Sequence, residues 1–109
     1  MELNVLERIV LIGTLPKEGN FENLRLLRIA KEKISFNEEE NKALKFRQEG
    51  DQFKWDSKIV DDKQVDIIPL KEIDFGETVT KLIVDSLKAL NDQGKLTENH
   101  FSIYEKFIT

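Results

Sequence analysis

The sequence predicts one α+β domain over residues 1–109, with five helices packed on a small antiparallel β-hairpin or three-stranded sheet. Three observations support this fold class. Capping-box patterns, a capping residue followed three places later by Glu, recur along the chain. Apolar residues at helical spacing follow them. One stretch has aromatic and charged residues on both sides of a glycine, as in a hairpin. Because no Gly/Ser-rich linker interrupts the chain, we expect a single core.

The first helix is predicted from Asn4 and Glu7, which form a capping-box pattern, and it extends to about Thr14. The run Ile9–Ile12 is apolar on every face. Such a run is typical of a buried helix, although a buried strand has the same pattern.

Two further helices are predicted before residue 45. Asn20 is a plausible cap for a helix to about Ile34. Its buried face is predicted to consist of Leu24, Leu27, Ala30 and Ile34. Ser35 and Glu38 form the next capping box, for a short helix to about Leu44. The acidic run Glu38–Glu40 suits the positive end of a helix dipole.

The hairpin is predicted over Phe46–Trp55, and two registers are possible. A turn at Glu49-Gly50 would place Phe46 opposite Phe53. A turn at Gly50-Asp51 would place Arg47 opposite Lys54. Because like charges directly opposite each other are destabilising, we favour the first register.

The chain after the hairpin is predicted to be a polar loop over residues 57–63, and then a third strand over residues 65–68. This strand ends at Pro69, which cannot donate a hydrogen bond to a central ladder.

The last third of the sequence predicts two helices. Asp74 and Glu77 form a capping box for a long helix that ends at Gly94. Its apolar stripe consists of Val79, Leu82, Ile83, Leu87 and Leu90. Thr97 is the expected start of a final helix with apolar residues at Phe101, Tyr104, Phe107 and Ile108.

Composition argues against most catalytic chemistry. The chain contains no Cys and one His, so disulfides and thiol nucleophiles are excluded, and His-based metal or triad sites are disfavoured. Phosphate-loop, dinucleotide, calcium-loop, HExxH and GxSxG motifs are absent. We therefore expect no enzyme activity, cofactor or metal. His100 is expected to be an exposed or capping side chain, and the many carboxylates a solvated surface.

Charged and aromatic residues provide the candidate interaction sites. Seventeen Lys and Arg against 21 Asp and Glu give a net charge of −4, which disfavours whole-domain nucleic-acid binding. The candidates lie on the basic face of the second helix, on the hairpin and on the last helix. They are Arg25, Arg28 and Lys31, then Arg47, Phe53 and Trp55, and finally Tyr104 and Phe107.

Three segments together resemble a group of small phage- and prophage-encoded proteins of about this length. They are residues 6–21, residues 48–55 with Gln48-Glu49-Gly50-Asp51-Gln52, and residues 96–107 with Tyr104-Glu105-Lys106. The resemblance covers nearly the whole chain and implies a viral role in the cytoplasm of a bacterial host. The absence of a signal-peptide pattern and of any long apolar run also favours the cytoplasm, with no membrane contact.

The leading functional hypothesis is a non-enzymatic protein-binding module that acts stoichiometrically on a host or viral protein. Inhibition of a host defence system is one such role. Exposed aromatic patches can also mark a self-association surface, so a homodimer is a further hypothesis. One alternative is a nucleic-acid-binding protein of winged-helix type, although Glu38–Glu40 would then face phosphate. The other is nucleotide sequestration at Arg25, Arg28 and Lys31.

Overall fold

Every predicted helix is present among residues 1–108, the part of the chain that the computed structural model describes. The α-helices are α1 (Val5–Thr14), α2 (Phe21–Ile34), α3 (Glu38–Leu44), α4 (Gly76–Asp92) and α5 (Phe101–Ile108). The strands are β1 (Glu2–Leu3), β2 (Arg47–Glu49), β3 (Gln52–Lys54), β4 (Ser57–Val60), β5 (Lys63–Asp66) and β6 (Lys71–Glu72). The predicted α+β class is confirmed.

The chain divides into two compact units. The helical unit comprises Met1–Ser35 and the chain from Lys71 onward, and the hairpin unit comprises Phe36–Leu70. The expectation of one domain stays a prediction.

The predicted starts of α1 and α2 are confirmed. The Asn4 side chain accepts a hydrogen bond from the Glu7 N–H at 2.8 Å, and the Glu7 carboxylate accepts one from the Asn4 N–H at 2.9 Å. The apolar run Ile9–Ile12 is therefore helical, as favoured over a strand. Asn20 caps α2 by accepting from the Asn23 N–H at 2.8 Å.

The predicted caps of α3 and α4 are wrong. The capping box of α3 is formed by Asn37 and Glu40, while the Ser35 hydroxyl donates to the Lys31 carbonyl at 2.7 Å at the end of α2. Two capping-box patterns overlap in this segment, Ser35 with Glu38 and Asn37 with Glu40. The second one forms, because the Ser35 hydroxyl is already bonded to the backbone of α2. At α4, Phe75 is the N-cap and makes no side-chain capping bond. Asp74 accepts instead from the Gly76 N–H at 3.1 Å.

The predicted end of α4 is confirmed at Gly94, whose φ is +66°. The Lys95 N–H donates to the Leu90 carbonyl at 2.8 Å, and the Gly94 N–H to the Asn91 carbonyl at 3.0 Å. This is the Schellman arrangement, which requires a left-handed residue. A 3₁₀ turn over Glu98–His100 then precedes α5.

The core of the helical unit is formed by α1, α2, α4 and α5. Its buried residues are Leu3, Leu11, Leu15, Leu27, Ala30, Ile34, Ile73, Val79, Ile83, Leu87 and Ile103. The two-residue strands β1 and β6 pair antiparallel, with Glu2 opposite Glu72 and Leu3 opposite Lys71. Sequence reasoning missed this sheet because two-residue strands carry no periodic pattern.

The first hairpin, β2–β3, adopts the register that charge repulsion had disfavoured. Arg47 lies opposite Lys54, Gln48 opposite Phe53 and Glu49 opposite Gln52. The prediction failed because each cation has an anionic partner. Arg47 pairs with Asp56 at 2.8 Å, and Lys54 pairs with Glu49 at 2.9 Å. Gly50 has a φ of +60°, as the first position of a type II′ turn requires.

The second hairpin, β4–β5, replaces the predicted polar loop and third strand. Ser57 lies opposite Asp66 and Val60 opposite Lys63, and these strands form a sheet of their own. Asp61 and Asp62 have φ values of +52° and +63°, the pattern of a type I′ turn. Within residues 1–108 no third strand joins the first hairpin, and the strands form three separate two-stranded sheets, β1–β6, β2–β3 and β4–β5.

We predict that Asp62→Gly stabilises β4–β5 by about 0.5–1 kcal/mol, because a side chain in the left-handed region costs about 1 kcal/mol or more. The measurement is hydrogen exchange at the Val60 and Lys63 amides, which should slow. Asp51→Gly is the control: Asp51 has no positive φ, so this change should bring no added protection to β2–β3. Equal exchange in Asp62→Gly and the parent would contradict the turn argument.

Candidate functional site

The hairpin unit contains an open cavity of about 560 Å³ between its two hairpins, which we call the hairpin cavity. It is lined by Arg47, Phe53, Lys54, Trp55, Asp56, Ser57 and Gln64. Three of the predicted interaction residues, Arg47, Phe53 and Trp55, are therefore brought together by the fold. Ser57 and Gln64 were missed because the sequence predicted a polar loop over residues 57–63 and a strand from residue 65, and not a second hairpin.

Aromatic contacts hold the wall of the hairpin cavity. The Phe53 ring stacks on Phe46, with ring centroids 5.3 Å apart and planes at 14°. The Trp55 ring lies 6.2 Å from Phe46 and 6.4 Å from Phe53. Phe36 packs edge-on against Phe46 at 4.9 Å. Phe53 nevertheless stays 48% exposed, so its outer surface is open to a binding partner.

Ion pairs surround these aromatic rings. Arg47 bonds to Asp56 at 2.8 Å and to Glu49 at 3.2 Å, and Glu49 also pairs with Lys54 at 2.9 Å. The hydrogen bonds to Asp56 and Glu49 raise the pKa of Arg47, and those from Lys54 and Arg47 lower the pKa of Glu49. Since these groups are exposed, the ion pairs add little stability. They do place a carboxylate beside each of the two cations that line the cavity, Arg47 and Lys54.

More apolar surface is exposed elsewhere in the hairpin unit. Ile59 is 76% exposed, Leu70 54% and Val60 47%. Among Phe36–Leu70, Leu44 alone is fully enclosed. The unit therefore has a small core and a large share of its apolar side chains at the surface.

The three predicted basic residues of α2 do not all line one site: Arg28 and Lys31 do, and Arg25 does not. Arg25 pairs with Glu22 at 2.9 Å. Arg28 and Lys31 line a groove of about 260 Å³ between α1 and α2, which we call the basic groove. The other residues that line it are Ile12, Leu15, Pro16, Lys17, Leu24 and Leu27. Lys17 was not predicted to belong to this group, because it lies in the turn after α1 and not on the face of α2.

Tyr104 and Phe107 lie against the core of the helical unit, where both are partly buried. The Phe107 ring is 5.8 Å from Phe75. The exposed aromatic side chain of α5 is Phe101, at 65%. The last helix thus uses most of its aromatic surface for packing.

The buried ionisable groups serve structure. Arg8 is 1% exposed and donates to the carbonyls of Ile34 at 2.9 Å and Ser35 at 2.8 Å, at the end of α2. Glu7 is 2% exposed and accepts from Lys106 at 2.8 Å. Burial acts to raise the pKa of Glu7, but hydrogen bonds from Lys106, the Asn4 backbone and Ser102 outweigh it and lower the pKa.

His100 caps the turn before α5, as expected. The Thr97 backbone N–H donates to its Nδ1 at 3.0 Å, and the Thr97 hydroxyl lies at the same distance. It also lines a cavity of about 510 Å³ beside α1 and α4, whose other lining side chains are uncharged. No group of three His, Asp or Glu within residues 1–108 is placed to hold a metal ion.

Comparison with known proteins identifies no relative. No family model, characterised protein or solved structure matches the chain significantly. Among the described helices, none combines the length and apolar character needed to cross a membrane. The resemblance to phage proteins therefore stays a prediction.

We predict that Glu7→Gln lowers the free energy of unfolding at pH 7 by about 1–3 kcal/mol, through loss of the charged hydrogen bonds. A lowered folded-state pKa gives stability that is full above the unfolded value of about 4.3 and is lost as the pH falls through the folded value. Urea unfolding between pH 7 and 2 should therefore show a flatter profile for Glu7→Gln.

The control for this experiment is Glu18→Gln, which changes an exposed carboxylate in the turn after α1. It should reproduce the pH profile of the parent. A Glu7→Gln profile parallel to the parent throughout the acid range would show that Glu7 carries no linked stability.

Proposed function

We propose that the protein is a non-enzymatic protein-binding module that acts stoichiometrically, and that the hairpin cavity is its contact surface. The observation that carries the proposal is the grouping of Arg47, Phe53 and Trp55 around one open cavity. Trp, Tyr and Arg are the residue types most enriched among binding hot spots.

The aromatic cluster is suited to binding because it is pre-organised. The Phe53 ring stacks on Phe46, and the Trp55 ring packs against both. A partner side chain that enters the cavity meets rings that are already ordered, so little conformational entropy is lost on binding. The ion pairs of Arg47 with Asp56 and Glu49 offer polar contacts at the rim.

The small core of the hairpin unit favours the same conclusion. Isolated two-stranded hairpins are marginally stable in water, and this unit has two of them over Phe36–Leu70. A partner that covers Phe53 and Ile59 would bury apolar surface that the chain leaves exposed. Burial of such surface stabilises a complex by about 25 cal/mol for each Å², before the costs of association.

The two alternatives have less support. Helix α3 begins with Glu38, Glu39 and Glu40, so a winged-helix contact through this helix would repel phosphate. The basic groove on α2 is lined by aliphatic and cationic side chains, which offer a nucleobase no aromatic ring for stacking. Homodimer formation through the exposed hairpin surface is a further form of the same proposal.

We predict that Phe53→Ser abolishes partner binding while it leaves the helical unit folded. The full chain and the variant are immobilised and exposed to a bacterial lysate, because of the resemblance to phage proteins. A partner retained by the parent and lost by Phe53→Ser is the expected result.

The matched control is Phe21→Ser, which removes a ring that is 76% exposed on α2 of the other unit. It should retain the partner. Trp55 is the single tryptophan of the chain, so its fluorescence should shift when the captured partner is added in purified form. Capture of the same proteins by parent and Phe53→Ser, or of none by the parent, would refute the proposal.

A further inference from the structure

We propose that the basic groove of the helical unit binds an acidic, apolar-anchored peptide segment of a partner protein. This site is independent of the hairpin cavity, since every residue that lines it belongs to α1, α2 or the turn between them. The proposal concerns a second contact surface and does not rest on the first.

Charge is the first observation. Lys17, Arg28 and Lys31 line the groove together, and within residues 1–108 none of the three forms an ion pair. The chain as a whole has a net charge of −4, whereas the charged residues that line this groove are all cationic. Glu18 and Glu32 are sequence neighbours of Lys17 and Lys31, but neither lines the groove. A ligand with carboxylates matches this surface.

Apolar surface between the cations is the second observation. Leu15 and Leu27 form the floor and belong to the core, at 6% and 5% exposure. Leu24 is 38% exposed at the wall, and Ile12 and Pro16 are partly buried. The floor is therefore fixed by core packing, while the wall can receive an apolar side chain.

The size of the groove matches one or two side chains of a peptide and is small for a whole drug-sized molecule. The volume of about 260 Å³ lies below the range of roughly 300–1,000 Å³ that small-molecule pockets occupy. Leu24, Arg28 and Lys31 follow one another at i, i+4 and i+7 along α2, which is about 10 Å of helix. One or two apolar side chains of a peptide fill such a groove, and flanking carboxylates reach the Arg28 guanidinium and the lysines.

The experiment is selection of a displayed library of random linear peptides on the immobilised full chain. The expected result is enrichment of peptides with Asp or Glu next to Leu, Ile or Phe. Affinity of a synthetic selected peptide is then measured by fluorescence anisotropy. The double variant Arg28→Glu, Lys31→Glu should weaken binding about tenfold or more, because two attractions become repulsions.

Two matched controls separate the groove from general effects. The double variant Lys88→Glu, Lys95→Glu changes the net charge by the same amount at exposed positions outside the groove, and it should bind as the parent does. Leu24→Ser should weaken binding several-fold, whereas Ile29→Ser, at a residue of similar exposure (41%) that does not line the groove, should not. Circular dichroism confirms that all variants are folded.

Three results would overturn the inference. They are no enrichment, enriched peptides without an acidic excess, and equal affinity of a selected peptide for the parent and the Arg28→Glu, Lys31→Glu variant. Vesicles of phosphatidylglycerol are tested in parallel. If they bind the parent but not this variant while no acidic peptide is enriched, the groove recognises an anionic lipid surface and the peptide proposal is wrong.

Discussion

The helical unit depends on a pair of adjacent charged residues buried at the start of α1. Arg8 donates to two carbonyls at the end of α2, where the helix dipole is negative. Glu7 closes the capping box at Asn4 and accepts from Lys106 of α5, whose ammonium also donates to the Glu2 carbonyl at 2.7 Å. Two consecutive side chains thus fix β1, α1, α2 and α5 to one another. Buried charges are tolerated only with such complete partnering.

The two units differ in how they obtain stability. The helical unit encloses a continuous aliphatic core around Leu11, Ile83 and Leu87. The hairpin unit depends on aromatic stacking, tight turns and exposed ion pairs, with Leu44 as its enclosed residue. Segments with few buried contacts open at low free-energy cost. The hairpin unit, with one enclosed residue, is therefore expected to open at a lower free-energy cost than the helical unit.

The helices could be predicted from sequence because their signals are local. A cap, a stop and a stripe occupy a dozen neighbouring residues, as in α1 and at the Gly94 end of α4. The hairpins could not be read equally well. In the β2–β3 register Arg47 lies opposite Lys54, and this pair is tolerated because Asp56 pairs with Arg47 and Glu49 pairs with Lys54. Neither carboxylate belongs to the residue directly opposite, so the pairing was not visible in the alternation of the two strands. The β4–β5 turn uses Asp61-Asp62 in left-handed conformation without glycine, and so lacks the usual hairpin signal.

The candidate sites were predictable where their residues are close in sequence, and less so where the packing of separate elements brings the residues together. Arg47, Phe53 and Trp55 could be grouped from the sequence because one hairpin brings them within a few residues of each other. The basic groove could be predicted in part, since Arg28 and Lys31 share a helix face, whereas the contribution of Lys17 depends on how α1 packs beside α2. Tyr104 and Phe107 lie on an aromatic stripe that is partly buried against the core of the helical unit. An aromatic stripe at helical spacing looks the same whether it meets a partner or its own core, and here Phe75 and the other helices already cover most of it.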